Sequence, residues 1–412
     1  MTTTPAPPAP QAPPQPAAPP PEPRRRSPVW DTVLTTALSF VLALVIGGVL
    51  IAVSDPDVTA AAGYFFSRPA DMLVAIWDAV SSAYVALFEG SVVNLSADSL
   101  QQAVRPFTET LTVASPLIAA GLAVALAFKA GMFNIGANGQ LIAGAILAGY
   151  VGFTWTGLPV GAHLVVATLA GLLGGSIWGG IVGLLKARTG AHEVIVTIMM
   201  NFVALNLLAY LLRQPAFQRS GRNDPISPFV ADSASYPVLL GGWSRLHLGF
   251  LLALLAAVVV WWVLNRSVLG FRFRAVGANP SAARTFGIKV ETQYFLVMAM
   301  AGSLAGLAGS IQVLGTEKAL TLSIAGSIGF DAITVALLGR GSPLGTVLAG
   351  ILFGALRAGG VVMQARTGTP IDIVLVVQSL IVLFVAAPPL IRKVFRLNVG
   401  AGGGLQISKG WG

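Results

Sequence analysis

Long apolar runs recur along most of the chain, with polar residues concentrated between them. A helix that crosses the ~30 Å hydrocarbon core of a bilayer needs ~20 such residues. Ten segments fit or approach this length: residues 32–53, 108–128, 139–157, 160–185, 193–212, 247–265, 292–314, 326–339, 343–364 and 371–388. The eighth is short, which predicts a re-entrant or broken helix. The pattern predicts an all-α polytopic membrane protein with about ten transmembrane helices.

Composition excludes a soluble globular protein. Of the 412 residues 55% are hydrophobic and 10% charged, whereas soluble domains average about 25% charged residues. The chain has no cysteine, and its three histidines are scattered, so we predict no disulfide, iron–sulfur cluster or metal site. The net charge of +9 would suggest a nucleic-acid partner in a soluble protein. In a membrane protein we expect it to reflect basic cytoplasmic loops and predict no nucleic-acid binding.

Charge also predicts the orientation. If the amino end is inside, 16 of the 25 Lys and Arg residues fall on inner segments and 8 on outer segments, and Arg357 lies within a span. This bias places both termini in the cytoplasm. We predict a disordered proline-rich tail over residues 1–29, a transmembrane domain over 30–395 and a flexible tail over 396–412.

Three connections are long enough to fold. Residues 54–107 and 213–246 are predicted outside the membrane. The first carries an apolar stripe, which indicates an interfacial helix or one packed against the bundle: Leu73, Trp77, Val80, Tyr84 and Phe88. Residues 266–291 are predicted inside. There Asn279 before Pro280 is typical of a helix start, and Gly287 would end a helix over Ser281 to Phe286.

Four stretches resemble one family. Residues 130–140 read AGMFNIGANGQ, 190–201 read GAHEVIVTIMMN, 277–284 read GANPSAAR and 329–340 read GFDAITVALLGR. They are similar to motifs of inner-membrane permeases of ABC importers that serve branched-chain amino acids, simple sugars and nucleosides, and the second and fourth look most like the nucleoside branch. The resemblance covers about residues 108–390. Asn138 departs from it, because many members carry glutamate there.

The resemblance implies a type II ABC-importer-like permease bundle in a bacterial cell membrane, in contact with membrane lipid. It implies nucleosides as solutes, with simple sugars or branched-chain amino acids as the alternative. Implied partners are an ABC ATPase subunit, a second homologous permease and an extracytoplasmic solute-binding lipoprotein. ATP would be used by the ATPase, since no phosphate-binding G-x-x-x-x-G-K-[ST] motif is present. We therefore expect this chain to bind no cofactor and not to be an enzyme.

The resemblance also implies a coupling helix in the inner loop that contacts the ATPase, with Ala282 and Ala283 as its small face. The residues that would form this coupling loop are Gly277, Asn279, Pro280, Ala282, Ala283, Arg284 and Gly287.

Polar side chains within spans are costly unless they are paired or hydrated. Seven amides could line a path for a polar solute or fasten helices together: Asn134, Asn138, Gln140, Asn201, Asn206, Gln312 and Gln378. The first three lie in a glycine-rich segment that is a poor continuous helix. For Asp331 and Arg357 a structural ion pair is favoured over a ligand role.

Two other classes remain as alternatives. An ion-coupled secondary transporter would need buried carboxylates, and Asp331 is nearly the only candidate. An intramembrane zinc protease would need H-E-x-x-H, but His192-Glu193 has no second histidine at that spacing.

Overall fold

The computed structural model describes residues 28–396, with side chains from residue 33 onward. The two predicted tails lie almost entirely outside these residues. Fifteen α-helices form the described part: α1 Pro28–Ser54, α2 Pro56–Ala62, α3 Pro69–Ser91, α4 Leu100–Lys129, α5 Ala137–Thr154, α6 Val160–Thr189, α7 Glu193–Leu211, α8 Gly249–Arg266, α9 Val268–Ala278, α10 Pro280–Thr285, α11 Val290–Ser310, α12 Ile328–Leu338, α13 Pro343–Thr367, α14 Ile371–Ala386 and α15 Pro388–Val394. The predicted all-α class is confirmed.

The number of spans differs from the predicted ten. Among the described residues, eight helices are long and apolar enough to cross a membrane, or nine if α14 and α15, which meet at 94°, form one span. Helix α5 is not among them, because two amides in its first turn lower its apolar content. Helix α12 has 11 residues, or ~16 Å at 1.5 Å per residue, as expected for a broken or re-entrant element.

The segment 54–107 is largely helical. Helix α3 is one of the eight helices long and apolar enough to cross a membrane, although its sequence pattern predicted an interfacial helix or one packed against the bundle. Its last turns pack against the bundle, since Gly90 meets Val362 of α13 and the Tyr84 hydroxyl donates to the Leu44 carbonyl of α1. Helix α4 begins at Leu100, eight residues before the predicted span. Its first turn is polar, and Ser99 caps it by accepting the Gln102 N–H at 3.3 Å.

The centre of the bundle is held by backbone contact between α6 and α11. Gly175 faces Gly302 and Gly306, and a Cβ on Gly175 would lie 2.6 Å from the Gly306 Cα. Gly144 of α5 meets the same place, with its added Cβ 2.9 Å from the Gly171 carbonyl oxygen. Only glycine permits such an approach, because any side chain would separate the helices. The main chains of α5, α6 and α11 are therefore in direct contact at one place.

The outer connection 212–248 is irregular and folds onto the helix ends. His163 at the start of α6 is fully buried, and its Nε2 donates to the Val151 carbonyl at 3.0 Å. Its Nδ1 therefore accepts from the Ser233 hydroxyl at 2.7 Å. Further on, the backbone N–H groups of Val230 and Tyr236 donate to the carbonyls of Lys318 and Leu314, which follow α11 in the chain. These bonds fix the outer connection to the bundle.

We expect Gly175→Ala to destabilise the protein, because the added methyl group would force α6 away from α11 at a cost of ~1–3 kcal/mol. Gly161→Ala in the same helix is the matched control, because a Cβ there meets nothing within 4 Å. Thermal unfolding in detergent micelles measures the difference. A melting temperature for Gly175→Ala equal to that of Gly161→Ala would contradict the close approach.

Candidate functional site

The connection between α4 and α5 carries the polar residues that the sequence singled out. The chain leaves α4 at Ala130, turns through Gly131 with a positive φ of 71°, and re-enters a helix at Ala137. The predicted interruption of the helix is thus confirmed. Asn134 is fully buried within it and forms a reciprocal amide pair with Gln140: its Nδ2 donates to Oε1 at 2.9 Å, and its Oδ1 accepts from Nε2 at 3.1 Å. Both side chains are therefore satisfied by protein groups.

Asn201 of α7 completes this network. Its Oδ1 accepts the Gly139 N–H at 2.8 Å, and its Nδ2 donates to the Ile135 carbonyl at 3.0 Å. The first N–H groups of a helix have no partner within it, and Gly136 has no side chain that could cap α5. Asn201 thus caps α5 from a neighbouring helix. In this geometry Asn134, Gln140 and Asn201 fasten helices, which was the alternative to lining a path.

The other four amides do not join this network. Asn206 is exposed and bonds to the Phe202 carbonyl of its own helix. Gln312 lies in the π-helical extension of α11, Ile311–Thr316, and donates to the Ile324 carbonyl at 3.4 Å. Gln378 is buried in α14, a helix whose apolar residues form a separate cluster with those of α1, α3 and α13. The seven amides therefore do not converge on one site, and a role in lining a path stays a prediction.

Asn138 connects the segment to α12. Gly329, in the first turn of α12, lies directly against the Asn138 backbone, where a Cβ would overlap the asparagine. Within the part of the chain that is described, the Asn138 Oδ1 is buried and accepts no hydrogen bond. Because Gly329 and Asn138 are in direct contact, a movement of α12 would displace the start of α5.

Asp331 and Arg357 form the ion pair that the sequence favoured. The Asp331 carboxylate, in the first turn of α12, contacts the Arg357 guanidinium of α13. Ser327, just before α12, donates to the same carboxylate at 3.0 Å and also contacts Arg357. The sequence analysis did not identify Ser327, although its spacing of four residues from Asp331 at a helix start was a usable signal.

The inner loop holds two helices, of which one was predicted. Asn279 accepts the Ala282 N–H at 3.0 Å, and Gly287 has a φ of 79°, so the predicted start and end of α10 are confirmed. Helix α9 was missed, although an apolar spacing of four and three residues over Leu269, Phe273 and Val276 indicates it. A correction concerns the small face. Ala283 is 3% exposed and packs inward against the loop, so Ala282 alone faces outward.

An apolar groove of about 590 Å³ runs between α9 and α10. Phe271 and Phe286 line it and are largely exposed. Arg284 does not enter the groove but pairs with Glu291 of α11 at 2.7 Å. The opposite side of α9 lies on the interrupted segment, since a Cβ on Gly277 would lie 2.8 Å from the Gly131 nitrogen. The loop thus presents an apolar surface outward and contacts the polar segment inward.

The chain belongs to the family described as branched-chain amino acid transport system / permease component, whose model matches residues 107–386. It is a multi-pass membrane protein and the permease subunit of an ABC importer.

Its similarities to individual proteins agree with this. The chain is 41% identical to the guanosine ABC transporter permease protein of Bacillus subtilis over 69% of its own length and 82% of the relative's. It is 33% identical to the glucose ABC transporter permease protein of Haloferax volcanii over 92% of its length and 93% of the relative's. The nucleoside ABC transporter permease protein NupB of Lactococcus lactis is 34% identical over 68% of this chain and 79% of its own. No solved structure matches the chain.

We expect Asn201→Ala to destabilise the protein by ~1–3 kcal/mol, because the Gly139 N–H and the Ile135 carbonyl would be left buried without partners. Asn206→Ala is the matched control: it removes an amide from the same helix that bonds only within that helix. Melting temperatures in detergent compare the two. Equal melting temperatures would show that Asn201 does not cap α5.

Proposed function

We propose that this chain is one of two membrane-spanning subunits of a nucleoside importer in which a separate subunit hydrolyses ATP. Two relatives named for guanosine or nucleoside transport support the solute, at 41% and 34% identity. The motifs GAHEVIVTIMMN and GFDAITVALLGR, which look most like the nucleoside branch, both contact the start of α5: Asn201 accepts the Gly139 N–H, and Gly329 lies against Asn138. In this proposal the chain itself is not an enzyme and binds no cofactor or metal.

Its partners follow from the same proposal. They are an ABC ATPase on the cytoplasmic side, a second homologous permease and an extracytoplasmic solute-binding lipoprotein. Both termini face the cytoplasm, in agreement with the bias of 16 inner to 8 outer basic residues. Relatives from one organism support a paired permease, because Bacillus subtilis has two guanosine ABC transporter permease proteins, 41% and 26% identical to this chain.

The groove between α9 and α10 is the observation that carries the coupling role. It combines exposed aromatic rings with a rigid base, since α9 contacts the segment between α4 and α5. A groove of this kind accepts an apolar projection from a partner, and the aromatic rings supply much of the contact energy. The ATPase therefore docks here, and its movement reaches α5 and α12 through Gly277.

Glucose is the second candidate solute. The glucose permease of Haloferax volcanii aligns with 92% of this chain, a larger share than either nucleoside relative covers. Nucleosides and glucose are both neutral and carry neighbouring hydroxyl groups, so one polar path suits either.

We expect deletion of the gene to abolish uptake of radiolabelled guanosine and a plasmid copy to restore it. Labelled glucose and leucine, measured in the same cells, are the controls and should enter at the wild-type rate. Loss of glucose uptake with normal guanosine uptake would transfer the assignment to the second candidate. Loss of leucine uptake alone would assign branched-chain amino acids.

We expect Phe286→Ala to weaken docking of the ATPase by tenfold or more, since burying a phenylalanine contributes ~1.5–3 kcal/mol. Co-purification of the ATPase and guanosine uptake, at matched membrane abundance, are the measurements. Phe66→Ala, which removes an equally exposed ring from the predicted outer segment, is the control and should change neither. Normal co-purification with Phe286→Ala would contradict docking in this groove.

A further inference from the structure

The ion pair between Asp331 and Arg357 lies near the middle of the membrane. Arg357 follows the start of α13 by 14 residues and precedes its end by 10, which places it ~21 Å and ~15 Å from the two ends. Asp331 comes from α12, which is too short to cross and is preceded by non-helical residues from 317 onward. The pair therefore belongs to a broken element at the depth where transporters of several folds bind solutes.

This cluster reaches the surface of the chain. The side chains of Asp331 and Arg357 are 15% and 23% exposed, and Ser327 and Phe330 beside them are exposed as well. A charged side chain at the centre of a bilayer costs ~2.5–3.5 kcal/mol or more, and such residues almost always face protein or a water-filled cavity. The surface around the pair is therefore covered by water or protein and does not face lipid.

The cluster also has unused hydrogen-bonding capacity. Among the described residues, the Asp331 carboxylate is bonded through Oδ2 by both Ser327 and Arg357, which leaves Oδ1 able to accept. Arg357 makes these contacts through Nη2 alone, so its other N–H groups can donate. An acceptor and donors beside one another match a vicinal diol, whose hydroxyl groups both donate and accept. Since the pair is neutral overall, it favours a neutral solute over an ion.

We propose that Asp331, Arg357 and Ser327 line the translocation path and hydrogen-bond the sugar hydroxyls of the solute as it passes. The inference rests on the proposed function and deepens it, because it assigns residues and a recognised group to nucleoside transport. The second permease closes the path opposite this cluster. Arg357 and Asp331 thus have two tasks: they neutralise each other in the membrane and offer their remaining bonds to the solute.

Cysteine accessibility tests the water-filled path. The chain has no cysteine, so Ser327→Cys, just before α12, and Thr334→Cys, about two turns further on within α12, can each be the only thiol of this subunit. The assembled importer, with cysteine-free partner subunits, is treated with a charged, membrane-impermeant methanethiosulfonate, which reacts with thiolates in water. Leu173→Cys, an exposed position near the middle of α6, is the control. Membrane abundance and melting temperature are measured for each variant to establish that it folds.

We expect Ser327→Cys and Thr334→Cys to react at least tenfold faster than Leu173→Cys and to be slowed when guanosine-loaded binding protein and ATP are supplied. Reaction as slow as that of Leu173→Cys in both variants would overturn the proposal. A fast reaction that guanosine transport leaves unchanged would overturn it too, because the cluster would then not meet the solute.

Charge variants separate a solute contact from a purely structural pair. Asp331→Asn and Arg357→Gln each leave one unpaired charge, which lowers membrane abundance. The double variant removes both charges and should recover the abundance. We expect its guanosine uptake, at matched abundance, to stay at least fivefold below wild type with a raised KM. Wild-type uptake by the double variant would overturn the proposal. Arg366 lies in α13 like Arg357 and pairs with Glu89 of α3, so Arg366→Gln is the control for loss of an ion pair alone.

Failure of the proposed function gives a different result. If the wild-type importer does not take up guanosine but takes up glucose, the solute assignment fails, and the labelling and uptake measurements are repeated with glucose, which also carries vicinal hydroxyl groups. If guanosine is transported and the variants behave as in the overturning outcomes, the solute assignment stands and the inference about α12 and α13 falls.

Discussion

Main-chain contact between α5, α6 and α11 is the constraint on which the arrangement of the other helices depends. Gly144, Gly175 and Gly306 leave no room for side chains where these helices meet. In a membrane the hydrophobic effect gives no drive to bring apolar helices together, so close packing and hydrogen bonds must do so. The glycines set the distance between the helices, and that distance places the start of α5 beside α7 and α12. The polar network can form only because of it.

The sequence predicted the class and most helices because apolar length and turn residues are local signals. The start of α10 at Asn279 and Pro280 and its end at Gly287 required no information from elsewhere in the chain. The roles of the polar residues within spans were harder to predict. An amide such as Asn201 has the same local appearance whether it caps a neighbouring helix or faces a solute, and only the third dimension places the Gly139 N–H opposite it. Ala283 illustrates the same limit, since a small residue fits an inward face as well as an outward one.

The predicted count of ten spans is not confirmed, and it differs from the eight or nine apolar helices of the described residues partly at α3 and α5. Helix α5 is buried by protein on nearly every side, so it needs less apolar surface than a lipid-facing helix and tolerates Asn138 and Gln140. Helix α3 was not counted as a span, because its apolar stripe indicated an interfacial or packed helix. It is nevertheless long and apolar enough to cross a bilayer. Hydropathy reports contact with lipid, whereas the bundle replaces lipid with neighbouring helices wherever the chain is buried.

The backbone contact of Gly277 with Gly131 makes the connection between the inner loop and the segment before α5 short and stiff. Helix α9 has 11 residues, or ~16 Å at 1.5 Å per residue, and near its end it presses backbone against backbone on the segment that begins at Ala130. There is no long side chain between the two that could bend and absorb a displacement. A tilt imposed on α10 would therefore pass through α9 to the segment before α5 without being absorbed by side-chain movement. If the ATPase docks on α10 as proposed, the stiffness of this contact sets how much of the ATPase movement is converted into movement within the membrane.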